Sequence, residues 1–211
     1  MDYYSTIKLS EAQIQNRGYK EYLGGGKEHW ETRGAFQLYF LKKMGLQPHD
    51  RLLDAGCGPL RSGVHFIHYL APGHYCGIDS NPDFIRVARE TVAQDGALQD
   101  KAPRLEYVID FDFPALDGAF TFVLAFSVLN HCDIAMRRLF FEKISRVTTP
   151  ASKIFLTHGH WYQDSLLSHT RLTRTRTIAS ARDIAPDLDM QAWGWPPKES
   201  IFPILEVAPQ A

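Results

Sequence analysis

The chain has 211 residues with a formal net charge of -1, and 45% of them are hydrophobic. This length and composition indicate a single globular domain, residues 1–211, with enough apolar side chains for a sizeable core. The near-neutral charge gives no reason to expect nucleic acid or an anionic membrane as the main partner.

The cysteines and the N-terminus indicate a cytoplasmic protein without a metal site. Cys57, Cys76 and Cys132 lack the spacing of metal ligands, so we expect free thiols in a reducing compartment. We expect no signal peptide, because the first residues lack a basic segment followed by an apolar one. We also expect no membrane-spanning helix, since no apolar run approaches ~20 residues.

Residues 1–45 are predicted to form a helical segment that precedes the sheet. We expect a leading helix over about 9–22, then a joint at the three glycines 24–26, then a helix near 31–45. Such a segment is long enough to cover a ligand as a lid. It could equally pack on the sheet, and the sequence leaves both interpretations open.

From Leu52 onward strands and helices alternate, which predicts a parallel sheet with helices on both faces. The fourth expected strand is an almost entirely apolar run, as for a central strand buried on both faces. The segment from Trp193 to Val207 is predicted to form a final, hairpin-like pair of strands. The expected strands before it are 52–54, 75–78, 105–109, 120–126 and 153–158, and the expected helices lie near 61–70, 82–94 and 134–147.

The first of these strands leads into a glycine-containing turn that is typical of nucleotide sites. The strand ends at Asp54, and Gly56 and Gly58 follow before the next helix. The second strand ends in another acid, Asp79. Such glycines let the backbone approach a ligand, and the distal carboxylate can bind both hydroxyl groups of a ribose. The pattern therefore predicts a site for an adenosine-containing cofactor.

Two residues of this turn favour S-adenosylmethionine over a nicotinamide dinucleotide. A dinucleotide site requires a third glycine at position 61, where Arg61 would hold the helix away from a pyrophosphate. Asp54 would repel a pyrophosphate, whereas it would attract the α-amino group of a methionine moiety. We therefore expect a ligand that is cationic and zwitterionic.

Residues 51–160 resemble class I S-adenosylmethionine-dependent methyltransferases, and residues 30–79 are similar to a bacterial small-molecule subset of them. The shared motifs are a Gly-rich lead-in with a tryptophan, then Leu-Asp-x-Gly-Cys-Gly-x-Leu-Arg-x-Gly and Tyr-x-Gly-Ile-Asp. The resemblance implies an α/β fold with a Rossmann-like seven-stranded methyltransferase sheet, mostly parallel with an antiparallel last strand, and an N-terminal helical lid. It implies S-adenosylmethionine as the cofactor. It does not name the acceptor, because these enzymes diverge outside the cofactor half.

The resemblance also assigns cofactor-binding roles by position. By this assignment Asp54, Gly56 and Gly58 line the methionine end, Asp79 binds the ribose, Asp110 and Phe111 contact the adenine, and Phe126 and Ser127 offer backbone groups to the methionine amine. Ser80 is also assigned to cofactor binding. Thr121 stands where the family commonly has an acid, at a position that is generally structural.

Candidate residues for the chemistry and for the acceptor are less specific. His131 is the candidate general base, because it follows the central strand and histidine titrates near neutral pH; its alternative role is structural. His158 and His160 are candidate acceptor contacts on the same rim or plain loop residues. Tyr22 and Trp30 could cover the sulfonium through cation–π contact, and Trp30 could instead belong to the core.

A basic stretch from Arg171 to Arg182 lies between the fifth and sixth expected strands. Arginine side chains suit a phosphate or carboxylate on an acceptor, although a solvated helix face has the same composition. The sequence does not decide between these interpretations.

The predicted function is transfer of a methyl group to O or N of a small metabolite. We expect a small-molecule acceptor, no nucleic acid and no membrane as partners, and a homodimer is compatible with the sequence. The alternatives are a methyltransferase that acts on a macromolecule, a non-catalytic S-adenosylmethionine-binding partner subunit, and a nicotinamide dehydrogenase. The motif of enzymes that methylate nucleic-acid amino groups is absent, since Ala125-Phe-Ser-Val128 occupies its place.

Overall fold

The computed structural model describes residues 6–21, 23, 29–113, 118–157, 172–178 and 204–209, and 172–178 by their backbone alone. Helices lie at α1 (Glu11–Gln15), α2 (Trp30–Lys43), α3 (Gly63–Tyr69), α4 (Pro82–Ala93), α5 (Gly96–Gln99) and α6 (Ile134–Ile144). Strands lie at β1 (Leu52–Ala55), β2 (Tyr75–Asp79), β3 (Arg104–Tyr107), β4 (Phe120–Ala125), β5 (Thr148–Thr157), β6 (Leu172–Ile178) and β7 (Ile204–Pro209). Short 3-10 turns lie at Gly18–Glu21 and Leu129–His131.

The strands form one sheet in the order β3-β2-β1-β4-β5-β7-β6. Strands β1 to β5 are parallel, and β7 runs antiparallel to both of its neighbours, β5 and β6. The fold class is thus as predicted, a mostly parallel sheet with an antiparallel last strand. The chain order reverses between β1 and β4, and in such sheets the crevice at this switch point is the usual ligand site.

The prediction for the last pair of strands was wrong in one member. The structure forms β6 from Leu172–Ile178, inside the basic stretch, and pairs it with β7 at Ile204–Pro209. Thr and Arg alternate from 173 to 177, and this period of two with β-branched residues is typical of a strand. The positive charge of the stretch favoured an acceptor-binding segment or a solvated helix face, so the strand was not predicted. Trp193 lies outside the described residues.

Several helix boundaries differ from the prediction. The leading helix ends early, since α1 stops at Gln15 and Arg17 has a φ of 55°, a conformation that cannot continue a right-handed helix. Helix α3 begins at Gly63 rather than at 61, and α6 ends at Ile144 rather than at 147.

Alternate residues of the central strands serve two cores on opposite faces of the sheet. Leu52 and Phe122 face the core under α2 and α3, whereas Leu53 and Val123 face the core under α6. Helix α2 is tied to the first core by Phe40, whose ring lies edge-on to Phe155 with centroids 5.2 Å apart. The sheet is therefore covered on both faces, as a parallel sheet requires.

Among the helices of the described residues, none combines the length and the hydrophobicity needed to cross a bilayer.

Gly34 allows α2 to pack against the chain just before α3, and we expect Gly34→Ala to lower stability. An alanine Cβ would overlap the carbonyl oxygen of Arg61 and lie 3.0 Å from His65 Nε2. Alanine normally stabilises a helix interior by about 1 kcal/mol relative to glycine. Here the overlap should reverse the sign and cost about 1–3 kcal/mol, measured as the free energy of unfolding in urea.

Gly96→Ala is the matched control, because a Cβ there meets no atom within 4 Å. We expect this variant to be as stable as the unmodified chain or more so. A Gly34→Ala variant that is equally stable would show that α2 does not approach α3 this closely.

Candidate functional site

A cavity lies at the carboxyl ends of β1, β2 and β4, beside the point where the strand order reverses. The residues that the sequence assigned to cofactor binding all line it, namely Asp54, Gly56, Gly58, Asp79, Ser80, Asp110, Phe111, Phe126 and Ser127. They come from the carboxyl ends of β1 and β2 and from the segments that follow β1 to β4, so the fold brings together residues that are up to 73 positions apart, from 54 to 127.

The carboxylate of Asp79 ties the glycine turn to the start of α4. Its Oδ2 accepts a hydrogen bond from the Gly58 N–H at 2.9 Å, and its Oδ1 accepts one from the Asn81 N–H at 2.8 Å. Such charge-assisted bonds are stronger than neutral ones. Gly56 locks the turn to a third loop, because its φ is 86° and a Cβ there would overlap the side chain of Val128.

Asp54 is a buried acid at the end of β1, with 4% of its surface exposed. The Tyr75 hydroxyl donates a hydrogen bond to its Oδ2 at 2.8 Å. Burial raises the pKa of Asp54 from 3.8 to about 7; the Tyr75 bond opposes this rise, the charge of Asp79 adds to it, and the charge of Arg61 opposes it. Asp54 is therefore a carboxyl group poised to ionise when a cation arrives.

The Tyr75 hydroxyl fits between two glycines. A Cβ at Gly63 would lie 2.6 Å from the hydroxyl oxygen, and a Cβ at Gly77 would lie 2.9 Å from it. Both distances are shorter than van der Waals contact, so any larger residue would displace the tyrosine. The two glycines thereby leave the space in which the hydroxyl binds Asp54.

Three non-glycine residues on the cavity wall have left-handed backbones, which is a sparsely populated conformation often found at functional sites. The φ angles are 57° at Asp110, 51° at Phe111 and 61° at Ser127. The N–H of Ser127 donates to Thr157 Oγ1 at 2.6 Å, and the Phe111 ring lies edge-on to Phe140 with centroids 5.1 Å apart. These contacts hold the two loops in place.

The N-terminal half of α2 forms another wall of the cavity. Trp30 lines the cavity and is 4% exposed, and its ring meets that of Tyr19 edge-on. The Arg61 guanidinium lies 5.9 Å from the Trp30 ring centroid and donates to the Leu23 carbonyl at 3.4 Å. Trp30 packs in a core cluster and also borders the cavity. Its contact with a sulfonium stays a prediction.

Residues 53–154 match the model of a family described as a methyltransferase domain. Over these residues the chain is similar to the S-adenosylmethionine-dependent methyltransferases of class I. An uncharacterized methyltransferase of Schizosaccharomyces pombe is 28% identical over 129 residues, which are 59% of this chain and 43% of that protein. The chain therefore spans less than half the length of this curated relative.

Solved methyltransferase structures share the fold. Magnesium protoporphyrin IX methyltransferase from Synechocystis, with bound S-adenosylmethionine, has a TM-score of 0.60 and 15% identity, over 97% of this chain and 100% of that one. The glycopeptide N-methyltransferase MtfA has a TM-score of 0.62 and 13% identity, over 85% and 90%. At these identities the likeness shows the fold alone.

The remaining residues predicted for the site fall in different places. His131 is half-buried on the 3-10 turn after β4 and is not among the described residues that line the cavity, although Val128 and Cys132 on either side are. Its role as a base stays a prediction. Tyr22, His158 and His160 lie outside the described residues, as do Arg171 and Arg182.

The described residues contain no group of three or more histidine, cysteine, aspartate or glutamate side chains that could hold a metal ion.

Three residues at or beside the cavity were not predicted from the sequence: Gln37 and Ser62 line it, and Tyr75 donates a hydrogen bond to Asp54, which lines it. The signal for Tyr75 was present, because it alternates with Gly77 and Asp79 along β2 and so shares their face. The signal for Gln37 was its position on α2, seven residues after Trp30 and hence on the same side of the helix.

We expect Asp54→Asn to change how the free energy of unfolding depends on pH. Below about pH 4 the Asp54 carboxyl is protonated in the folded and unfolded chains alike. Between about pH 4 and 7 it ionises only in the unfolded chain, because its folded pKa is about 7, and this favours unfolding. At ~1.4 kcal/mol per pH unit the loss reaches about 4 kcal/mol near pH 7.

The measurement is the free energy of unfolding in urea at pH 4.5, 6 and 7.5. The asparagine variant should gain stability relative to the unmodified chain as the pH rises through this range, and the difference should level off above pH 7. A difference that does not change with pH would show that Asp54 titrates normally.

Proposed function

We propose that this chain transfers the methyl group of S-adenosylmethionine to an oxygen or nitrogen atom of a small metabolite. The observation that carries the proposal is that a carboxyl group and a guanidinium group line the same cavity. Asp54 and Arg61 both line it, and they are close enough for the charge of Arg61 to lower the pKa of Asp54. A methionine moiety carries an ammonium and a carboxylate, and it would match these two groups.

The rest of the cavity suits the adenosine part of the same cofactor. A carboxylate has about four acceptor positions, so the two backbone bonds to Asp79 are compatible with further bonds from ribose hydroxyls. Val108, Phe111 and Met136 offer apolar walls beside Asp110, which suits an adenine ring and its amino group. The lining of the cavity thus suits both parts of a single S-adenosylmethionine molecule.

When bound, S-adenosylmethionine supplies an electrophilic methyl group on a positively charged sulfur. The chain's own residues have to hold the reactants in line and exclude water. The apolar side chains of Phe84, Phe126 and Val128 border the cavity and serve that exclusion. An acceptor that loses a proton would also need a base, for which His131 remains the candidate.

A small acceptor is favoured over a macromolecule by the balance of charge and by the cover over the cavity. The net charge is -1, which offers no general attraction to a polyanion. Trp30 and Gln37 of α2 border the cavity and are nearly buried themselves, which leaves a confined space for the acceptor.

The first test is calorimetric titration with S-adenosylmethionine, S-adenosylhomocysteine and NADH. We expect micromolar binding of both adenosyl ligands and none of NADH. An assay for S-adenosylhomocysteine formation with pooled metabolites then tests catalysis. Binding without turnover on any pool would favour a non-catalytic subunit, and turnover only with RNA or protein would favour a macromolecular acceptor. Absence of adenosyl binding would refute the proposal.

Asp79→Ala should weaken S-adenosylhomocysteine binding by about 10- to 100-fold for each ribose bond lost, since a hydrogen bond to a charged group contributes about 1.5–3 kcal/mol. The matched control is Asp95→Ala, because the Asp95 carboxylate also accepts from two backbone N–H groups, at the start of α5. The control should lose stability and keep its affinity. Equal affinity losses in both variants would mean that Asp79 acts only through folding.

A further inference from the structure

The chain before α2 packs on α4. We call residues 7–23 the leading segment, and the structure describes all of them except 22. Apolar side chains of this segment join α4 and the start of α2 in a cluster separate from the two cores of the sheet, formed by Leu9, Tyr19, Leu23, Trp30, Phe84 and Val87. Because the cluster is much smaller than either core, we expect the leading segment to open more readily than the sheet unfolds.

The leading segment forms part of the cavity wall. Leu23 lines the cavity, as does Phe84 of α4, and both belong to the small cluster. The Arg61 guanidinium donates to the Leu23 carbonyl at 3.4 Å, which joins the segment to the turn before α3. A ligand in the cavity therefore has the leading segment on one side and α4 on another.

The side-chain amide of Asn81 joins the leading segment to α4. Its Nδ2 donates to the Ile7 carbonyl at 2.8 Å, and its Oδ1 caps α4 by accepting from the N–H groups of Asp83 and Phe84 at 2.9 and 3.2 Å. A second bond lies beside it, from the Leu9 N–H to Asp83 Oδ2 at 2.9 Å. Aspartate caps a helix about as well as asparagine, but it has no N–H to donate. The bond to Ile7 therefore requires an amide at this position.

The backbone of Asn81 is bonded to a carboxylate on the cavity wall. The Asn81 N–H donates to Asp79 Oδ1 at 2.8 Å, and Asn81 is fully buried. Asn81 itself is not among the described residues that line the cavity. One buried residue beside the cavity thus holds Asp79 with its backbone and the leading segment with its side chain.

We propose that Asn81 latches the leading segment over the cavity, and that closure of the segment and binding of a ligand favour each other. A ligand that contacts Leu23 binds the closed chain more tightly than the open one, and by linkage it holds the segment closed. Asn81 is in this scheme a positioning residue, because it acts through the segment and does not touch the ligand. The inference rests on the proposed function for the identity of that ligand.

The test measures hydrogen exchange of backbone N–H groups with and without saturating S-adenosylhomocysteine. In the unmodified chain we expect the ligand to slow exchange at Leu9 and Leu23 by about 5- to 150-fold, the usual range of coupling between two sites. Asn81→Asp keeps the cap and loses the donor to Ile7. Without ligand, Leu9 and Leu23 should exchange about 2- to 10-fold faster in this variant, the factor for one lost hydrogen bond, whereas Phe84 in the capped turn of α4 should not change.

Asn81→Ser separates the lost donor from the charge that aspartate adds beside Asp79. Serine also caps helices, and its side chain is too short to reach Ile7, so its exchange at Leu9 and Leu23 should rise as in Asn81→Asp. The matched control is Asp95→Asn, which exchanges the same two residue types at the cap of α5, where Asp95 accepts from two backbone N–H groups. It should leave exchange in the leading segment unchanged.

Each contrary outcome has a distinct meaning. If S-adenosylhomocysteine binds by calorimetry but leaves exchange at Leu9 and Leu23 unchanged, the inference is overturned and the proposed function stands. The same holds if the Asn81 variants do not accelerate exchange there, or if they accelerate it equally at Phe84, because the substitutions would then act through the cap. Failure of the unmodified chain to bind S-adenosylhomocysteine would overturn the proposed function, and this inference with it.

Discussion

The carboxylate of Asp79 is the constraint on which the geometry of the cavity depends. It accepts backbone N–H groups from Gly58 on one side and from Asn81 on the other, at 2.9 and 2.8 Å. One side chain thereby fixes the turn after β1 relative to the helix after β2. Because Gly56 in that turn fits against Val128, the loop after β4 is placed as well. These contacts thus fix three loops from distant parts of the chain relative to one another.

Around this framework, several groups are in states that folding alone would not favour. Asp54 is buried with a pKa raised to about 7, and Asp110, Phe111 and Ser127 have left-handed backbones. Each of these features opposes folding to some degree. Their concentration on one cavity wall indicates that the surrounding sheet and helices supply the stability, while the cavity is shaped for a ligand.

The sequence predicted the parts of the site that depend on local patterns. Asp54 and Asp79 could be assigned because an acid at the end of an apolar strand, followed by glycines or by a helix start, is a short-range signal. The spacing of Gln37 from Trp30 indicated only a shared side of α2. Its place on the cavity wall depends on how α2 packs on the rest of the fold, which the spacing alone does not give. The strand Leu172–Ile178 was missed for another reason: alternation and charge gave conflicting signals, and the charge received more weight.

The fold class followed from the alternation of strands and helices between 52 and 157, which the structure reproduces with one added short helix, α5. The arrangement of Tyr75 against Asp54 did not follow from it, although the spacing along β2 carried the information. Periodicity tells which residues share a face of a sheet. It does not tell which of them touch, because that depends on neighbours such as Gly63 and Gly77 that leave room for the tyrosine hydroxyl.

Residues of α2 contact two different parts of the molecule. Trp30 and Gln37 border the cavity, whereas Phe40 on the same helix is fully buried against Phe155. A continuous helix moves as one body, so a displacement of Trp30 and Gln37 from the cavity would also disturb the packing of Phe40 in the core. The position of this cavity wall is therefore tied to the packing of the core under α2.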